Sequence, residues 1–481
     1  MKFSPPLSQT MLSSRWLLLA AVVGALVVGW LVSMAGLVVP ALLVATPLLG
    51  FFLVLVFSNP RAGFVAYIVY CFLIMTMVRH IPGIPFGLGM EALLLLTWIS
   101  AAFHQSGEFS WGRLQNSLCL LALAWFGINV LELLNPAGAS PVGWFYEMRG
   151  TTLFLLLTAP LTFLVFYRAR DLRLFLCLII LFSVLGTLYG IKQDVFGVDF
   201  MEQQWLNQGA YTTHIIWGKL RIFSFFSEAA QFGASQAHVG VICLILALGP
   251  FVWWKRLLFA AAALLLFYGM LISGTRGAMF VLLAGVFTYL ILSKQTKILL
   301  LGSVIALGAL GVLKYTTIGN GNANIVRLRT SINPQDASFQ LRLKNQATLR
   351  QYLASRPFGG GVGTIGMWGV KYNNDKFLAS IAPDSYYVKV WAEYGIVGFL
   401  IWIGMMFYIQ GRCCGIVWNT RDARLRQKLL ALTAGSVGIL VSSYGNEVIN
   451  QMPSSMIVYI SWAFIFLGPD LDTPVAPSAH A

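Results

Sequence analysis

Charge is scarce in this chain, and acid scarcest of all: 481 residues hold 17 Asp and Glu against 32 Lys and Arg, with charged residues at 10% of the total. A soluble domain cannot cover its surface with so few charges, so the composition excludes an ordinary globular protein. Histidines number five and cysteines six. The cysteines (Cys71, Cys119, Cys177, Cys243, Cys413, Cys414) stand in apolar runs or in one basic loop, without CxxC spacing or a neighbouring histidine. Neither a disulfide framework nor a metal site is expected from them. The one glycine-rich stretch, "FGGGVGT" at 358–364, is followed by no Lys-Ser/Thr pair and preceded by no strand, which excludes a nucleotide P-loop.

What the chain does have is apolar length. Hydrophobic residues make up 58% and the mean hydropathy is +0.77. A bilayer-spanning helix needs about 20 mostly apolar residues, and fourteen such runs are predicted, near 16–33, 37–57, 62–78, 89–104, 116–133, 151–167, 172–190, 236–253, 257–274, 278–293, 298–314, 395–411, 428–446 and 452–468. The fold class is therefore an all-α polytopic membrane protein. The first run lacks a clear small-residue cleavage site and a second follows at once, so it reads as a span and not as a removed signal peptide.

Short basic loops set the orientation. Arg61, Arg113, the Arg168/Arg170/Arg173 cluster, Lys255/Arg256, Lys294/Lys297 and the run from Arg412 to Lys428 fall on one side if fourteen spans alternate. By the positive-inside rule that side is cytoplasmic, with both termini. The formal charge of +15 is then partly topogenic, and no nucleic-acid partner is expected. The chain divides into an N-terminal bundle (1–190), a central membrane segment with an outer loop at 191–235 (191–314), a large extracytoplasmic loop (315–394), and C-terminal spans with a cytoplasmic tail (395–481).

The outer segments carry the informative residues. From 315 to 383 there are eight Lys and Arg (Arg327, Arg329, Arg342, Lys344, Arg350, Arg356, Lys371, Lys376) against Asp336 and Asp375, a bias opposite to the topogenic one that suits an anionic ligand. Within it "LRLKNQATLRQYLASRPFGGGVGT" predicts an amphipathic helix at the membrane surface or over a cavity. Leu341, Leu349, Tyr352 and Leu353 share one face, and Arg342, Gln346 and Arg350 form a neighbouring stripe. Pro357 ends it, and Gly359, Gly360, Gly361 and Gly363 then let backbone approach a ligand closely.

Other arginines lie on or near the same side: Arg79, Arg149, Arg221 and above all Arg276, isolated between two spans in "ISGTRGAMF". A guanidinium at membrane depth suits a diphosphate, whereas a snorkelling anchor is the plainer reading. Glu228 either pairs with Arg221 or faces a polar cavity. His80, His214 and His238 have no ligand spacing and are expected to form hydrogen bonds. In "APDSYYVKVWAEYGIVGF" Asp384 is either a helix cap or a base, Lys389 and Glu393 are spaced to pair at i, i+4, and Tyr386, Tyr387 and Trp391 suit an interface or a sugar face.

Taken in order, "RIFSFFSEAAQFG" at 221–233, "SGTRGA" at 273–278, the arginine-bearing helix running into "SRPFGGGVGT" and "DSYYVKVWAEYGIVGF" at 384–399 resemble the O-antigen ligase/polymerase superfamily. The resemblance covers the C-terminal half. It implies a GT-C-like membrane glycosyltransferase without cofactor or metal, at the periplasmic side of the bacterial inner membrane. Its donor would be an oligosaccharide on undecaprenyl diphosphate and its acceptor a polysaccharide or lipid A core, with a chain-length regulator and a flippase as further partners. Arg276, Arg221, Arg342 and Arg350 would bind the diphosphate, Asp384, Glu393 or Glu228 would act as base, and Tyr386, Tyr387 and Trp391 would hold sugar. Ligases of this family commonly have His-Asn where this chain has Asp384-Ser385, which favours polymerase over ligase. A transporter of lipid-linked sugars or small anions is the alternative from another class; no repeat between the halves supports it.

Overall fold

The computed structural model of the chain describes residues 22–23 and 38–472, except 82, 105–108, 217, 295–299, 384 and most of 301–336. Among the described residues the fold is helical, with one two-residue hairpin, Ile215–Ile216 against Lys219–Leu220. Seven helices are long and apolar enough to cross a membrane: Pro60–His80, Ser117–Leu134, Pro141–Val165, Ala169–Phe196, Ala229–Ala247, Trp253–Ile272 and Tyr386–Asn419. Four shorter apolar helices, Leu43–Ser58, Leu88–Phe103, Arg276–Leu292 and Ser454–Phe466, accompany them. Ala423–Ser442 is the twelfth, with basic residues in its first two turns. These correspond to twelve of the fourteen expected runs; 16–33 and 298–314 lie largely outside the described residues, as does the reading of the first run as an uncleaved span.

Burial sorts these helices into a centre and a rim. Ala229–Ala247 is 89% buried across its apolar window and Ser117–Leu134 only 22%, so the first is a hub and the second faces lipid along Leu120 and Leu123. Against the hub pack Trp253–Ile272, Arg276–Leu292 and Ala423–Ser442. The last two approach closely because they meet at small residues: a Cβ on Gly438 would lie 2.6 Å from the Val281 carbonyl, and one on Gly285 3.2 Å from that of Ala434. Without a hydrophobic drive between helices in lipid, such close backbone packing is what holds a bundle together.

Two boundaries differ from the sequence expectation, and both matter for the site. The polar approach from Tyr386 and the span after it form one helix, Tyr386–Asn419, bent at Gly395, where φ is +65°. Its first turns are polar yet buried, because they pack inside the protein and not in solvent. The sixth span begins ten residues earlier than expected, at Pro141, and passes through a π-helical turn at Arg149–Leu153. Glu147 is thereby carried inside the bundle.

Candidate functional site

At the end of the bundle opposite the basic loops, "RIFSFFSE" is folded against the start of the helix Arg276–Leu292. Thr275 joins the two. Its hydroxyl donates to the Ala229 carbonyl at 2.8 Å and accepts from Arg221 Nη2 at 3.2 Å, while Arg221 Nη1 holds the Thr213 carbonyl at 3.1 Å. Burial lowers the pKa of Arg221 and the neighbouring Arg276 charge lowers it further, against a favourable Glu228. The two guanidiniums are thus close enough for their charges to interact, and Glu228 is the stronger charged neighbour of Arg221. Burial also raises the pKa of Glu228, whose carboxylate accepts from Gln451 Nε2 at 3.3 Å. Arg221 and Glu228 interact through their charges, with no direct ion pair between them.

Arg79 clamps this segment in place. Its guanidinium donates to the carbonyls of Ser224, Phe226 and Ser227 and lies between the Trp205 and Phe223 rings, 4.7 and 4.6 Å from their centroids. Arg149 pairs with Glu91 and reaches no carbonyl of this segment. His80 bonds the Thr76 carbonyl and Asp199, and His214 bonds the Ala210 carbonyl. His238 departs from the hydrogen-bonding expectation: it is wholly buried beside Gly435 and neither ring nitrogen has a protein partner.

The expected amphipathic helix is Ala337–Leu353. Leu349 and Leu353 are buried with Leu378 and Ala392, and Tyr352 stacks on Phe377, whereas Leu341 is exposed. The polar stripe turns toward the site. Arg342 Nη2 donates to the Gly445 carbonyl at 2.9 Å. Two turns on, Arg350 and Gln346 line an open depression of about 700 Å³ with Trp391. Gln346 and Trp391 also border an apolar slot of about 240 Å³ that includes Tyr387 and Tyr444.

The loop 442–451 is where these parts converge, and nothing in the sequence singled it out. Gly445 receives Arg342, and Asn446 packs on Gly277, next to Arg276. Glu447 accepts from Lys389 Nζ at 2.9 Å, and Lys389 reaches Glu147 at 3.0 Å. Asn450 donates to Glu147 and Gln451 to Glu228. Lys389 therefore pairs across the bundle and not with Glu393 along its own helix. Glu393 is wholly buried, and its carboxylate accepts from the Gly363 N–H at 2.9 Å.

The glycine turn has a different use from the one expected. Gly360 and Gly361 N–H groups donate to the carbonyls of Ala392 and Glu393, and Gly359 abuts the bend at Gly395, so its close approach is to the chain's own backbone. Ser385 caps the helix by accepting from the Val388 N–H. Asp384 lies outside the described residues, as does Arg327. Tyr386 is buried edge-on to Trp402 and belongs to the core, while Tyr387 and Trp391 line the depressions.

Residues 261–403 match the family model described as O-antigen ligase. The likeness is confined to that segment of the 481-residue chain. It supports the resemblance to the O-antigen ligase/polymerase superfamily read from the sequence. The matched segment contains Arg276, Arg342, Arg350, Lys389, Trp391 and Glu393; Arg221, Glu228, Glu147 and Glu447 lie outside it and are brought to it by the fold. No curated protein matches the chain.

Proposed function

We propose that the chain is a glycosyltransferase that polymerises undecaprenyl-diphosphate-linked oligosaccharide units into exopolysaccharide or O-antigen, at the periplasmic face of the bacterial inner membrane. The observation that carries this reading is that three arginines gather at the end of the bundle opposite the topogenic charges: Arg221 bonds Thr275 beside Arg276, and Arg342 bonds Gly445 in the loop whose Asn446 packs on Gly277. An acceptor hydroxyl attacks the anomeric carbon of the donor, forming the new glycosidic bond as the bond to the diphosphate oxygen breaks. The arginines stabilise the charge that gathers on the leaving diphosphate, and a carboxylate takes the hydroxyl proton. Arg350 and Trp391, beside the open depression, offer a charge and a ring face to the sugar chain.

For the base, Glu228 and the partly exposed Glu447 stand at the basic cluster, and Asp384 remains the candidate from the sequence. Glu393 is the weaker choice, because it is wholly buried with one oxygen on the Gly363 N–H, away from the contacts that join the arginines. An amide keeps the shape but takes no proton, so Glu228→Gln, Glu447→Gln and Asp384→Asn separate the three: the base loses turnover by roughly a hundredfold with donor binding intact. The second reading, transfer of finished polymer to lipid A core, has the family's name in its favour; Asp384-Ser385 in place of His-Asn favours polymerisation.

The polymer profile of a deletion strain decides between them. Single lipid-linked units accumulate if a polymerase is lost, and long polymer stays on undecaprenyl diphosphate if a ligase is lost. Units trapped on the inner leaflet would overturn both in favour of a flippase. Orientation is tested with a cysteine at the exposed Ser355 in a chain with Cys177 replaced. An impermeant thiol reagent labels it in whole cells if this end is periplasmic, and only after lysis if it is not.

A further inference from the structure

Lys389 is the least expected residue at this end. Its ammonium lies 3.0 Å from Glu147 Oε2 and 2.9 Å from Glu447 Oε2, with the three side chains 7%, 2% and 22% exposed. Taking an ammonium and two carboxylates out of water is costly, and apolar side chains would fasten the same helices at least as well. What the bridge adds is direction, because an ammonium places each carboxylate along one of its own N–H bonds.

The two carboxylates differ in role. Glu147 is an anchor: Oε2 takes Lys389, Oε1 takes Asn450, and the whole group is buried. Glu447 gives one oxygen to Lys389 and keeps the rest of its carboxylate at the rim, close enough to Glu228 for their charges to interact. Asn450 and Glu447 are three residues apart, so the loop 442–451 is tied to Glu147 twice, once directly and once through Lys389. That loop also receives Arg342 at Gly445 and meets Gly277 through Asn446.

We propose that Lys389 is a positioning residue of the transfer site: it hangs Glu447 and the loop 442–451 from the buried Glu147, and so sets their distance from Arg276 and Arg342. This rests on the glycosyl-transfer reading above. Lys389 itself touches no reacting atom; it acts through the groups it orients.

The test uses the full chain in nanodiscs, with an undecaprenyl-diphosphate-linked oligosaccharide as donor and undecaprenyl diphosphate as the binding probe. Lys389→Met alone strands Glu147 as a buried charge, so the informative variant is Lys389→Met with Glu147→Gln. It is expected to melt as the wild type does and to lose kcat by roughly a hundredfold, the effect of an ångström-scale misplacement. The donor KM should move by less than about threefold, since ground-state binding is left alone. Lys389→Arg, which keeps the charge, should recover most of that loss. Wild-type kcat in a folded double variant, or a loss that only follows the folded fraction, overturns the proposal. If the double variant does not fold, Lys389→Gln with Glu147→Gln, which leaves a neutral polar pair in place of the buried charges, decides: reduced kcat at unchanged KM supports the role and wild-type kcat refutes it. A wild-type protein that binds undecaprenyl diphosphate but turns over no donor removes the functional reading, and this proposal with it; an active wild type with an equally active double variant removes Lys389 alone.

Discussion

The two ends of the bundle treat charge in opposite ways. At the basic-loop end several cations are held by a backbone carbonyl or a ring and not by a buried acid. Arg61 Nε donates to the Val165 carbonyl at 3.1 Å, Arg113 lies 3.7 Å over the Tyr167 ring with Arg168 on the same ring, and Arg426 donates to the Leu292 carbonyl. The acids there close helix ends: Asp171 accepts from the Arg168 N–H, Asp422 caps Ala423–Ser442, and Asp472 takes the N–H groups of Arg421 and Asp422. At the other end cations stand near one another and near buried carboxylates: Lys389 lies between Glu147 and Glu447, and Arg221 is within reach of the charges of Arg276 and Glu228. Charge that only fixes topology is satisfied by carbonyls and rings. Charge set against other buried charge carries a desolvation cost that the proposed transfer site would account for.

The sharpest test of this contrast is one substitution made at both ends. Arg276→Lys keeps the charge but loses the two-pronged geometry, and should lower turnover on the order of a hundredfold. Arg113→Lys at the opposite end should leave turnover near wild type, with insertion and accumulation unchanged. Both are read by extension of a lipid-linked unit by purified protein. Equal effects at the two ends would dissolve the contrast and reduce Arg276 to an anchor.

Glu228 gives the next largest effect. Burial raises its pKa, and a base works only when ionised, so activity should fall with decreasing pH at a higher pH than an ordinary carboxylate would give. In Glu228→Gln turnover should fall and that acid limb should disappear from the pH profile of what remains. An unchanged limb in the variant would pass the role to Glu447 or Asp384.

Much of this end could be read along the chain, and the part that could not has a common cause. The spans and the isolated arginines follow from run length and isolation, both local properties; so does the stripe of Arg342, Gln346 and Arg350, which the helical period places together. Glu147 and Glu447 were missed because each is a lone acid beside a span, indistinguishable from a solvated turn until a lysine 242 residues from Glu147 reaches both. The Lys389–Glu393 pair failed for the same reason. Spacing at i, i+4 allows a contact, but the lysine had better partners across the bundle. The glycine turn misled because glycine permits close approach to any backbone, and here that backbone is the helix bend at Gly395.

A smaller effect is expected at Arg350, exposed at the open depression and without the inward contacts of Arg342. Arg350→Ala should raise the donor KM several-fold and leave kcat nearly untouched, the pattern of uniform binding removed. A fall in kcat with unchanged KM would move Arg350 into the group that acts on the transition state.

At neutral pH the smallest effect comes from His214, and it separates the two ends by stability alone. The imidazole is buried edge-on to Trp205 and Phe223, 5.0 and 5.3 Å between ring centroids, in the segment that carries Arg221. Its Nδ1 is 3.0 Å from the Ala210 carbonyl and Nε2 is 3.4 Å from the Ala229 N–H, so the neutral ring donates at one nitrogen and accepts at the other. Burial pushes its pKa down from 6.5 to about 4. Between those values the opened segment takes up a proton that the folded one does not, so folding is fully supported above pH 6.5 and loses support progressively as the pH falls toward 4. A shift of this size is worth at most about 3 kcal/mol at the acid limit. Hydrogen exchange should therefore show 199–228 losing protection between pH 7 and 5, while the helix caps at Asp171 and Asp422 keep theirs. Glutamine at 214 cannot gain the proton, so His214→Gln should flatten that pH dependence. Protection of 199–228 that holds to pH 5 in the wild type, or that falls equally in the variant, would show that some other group titrates this end.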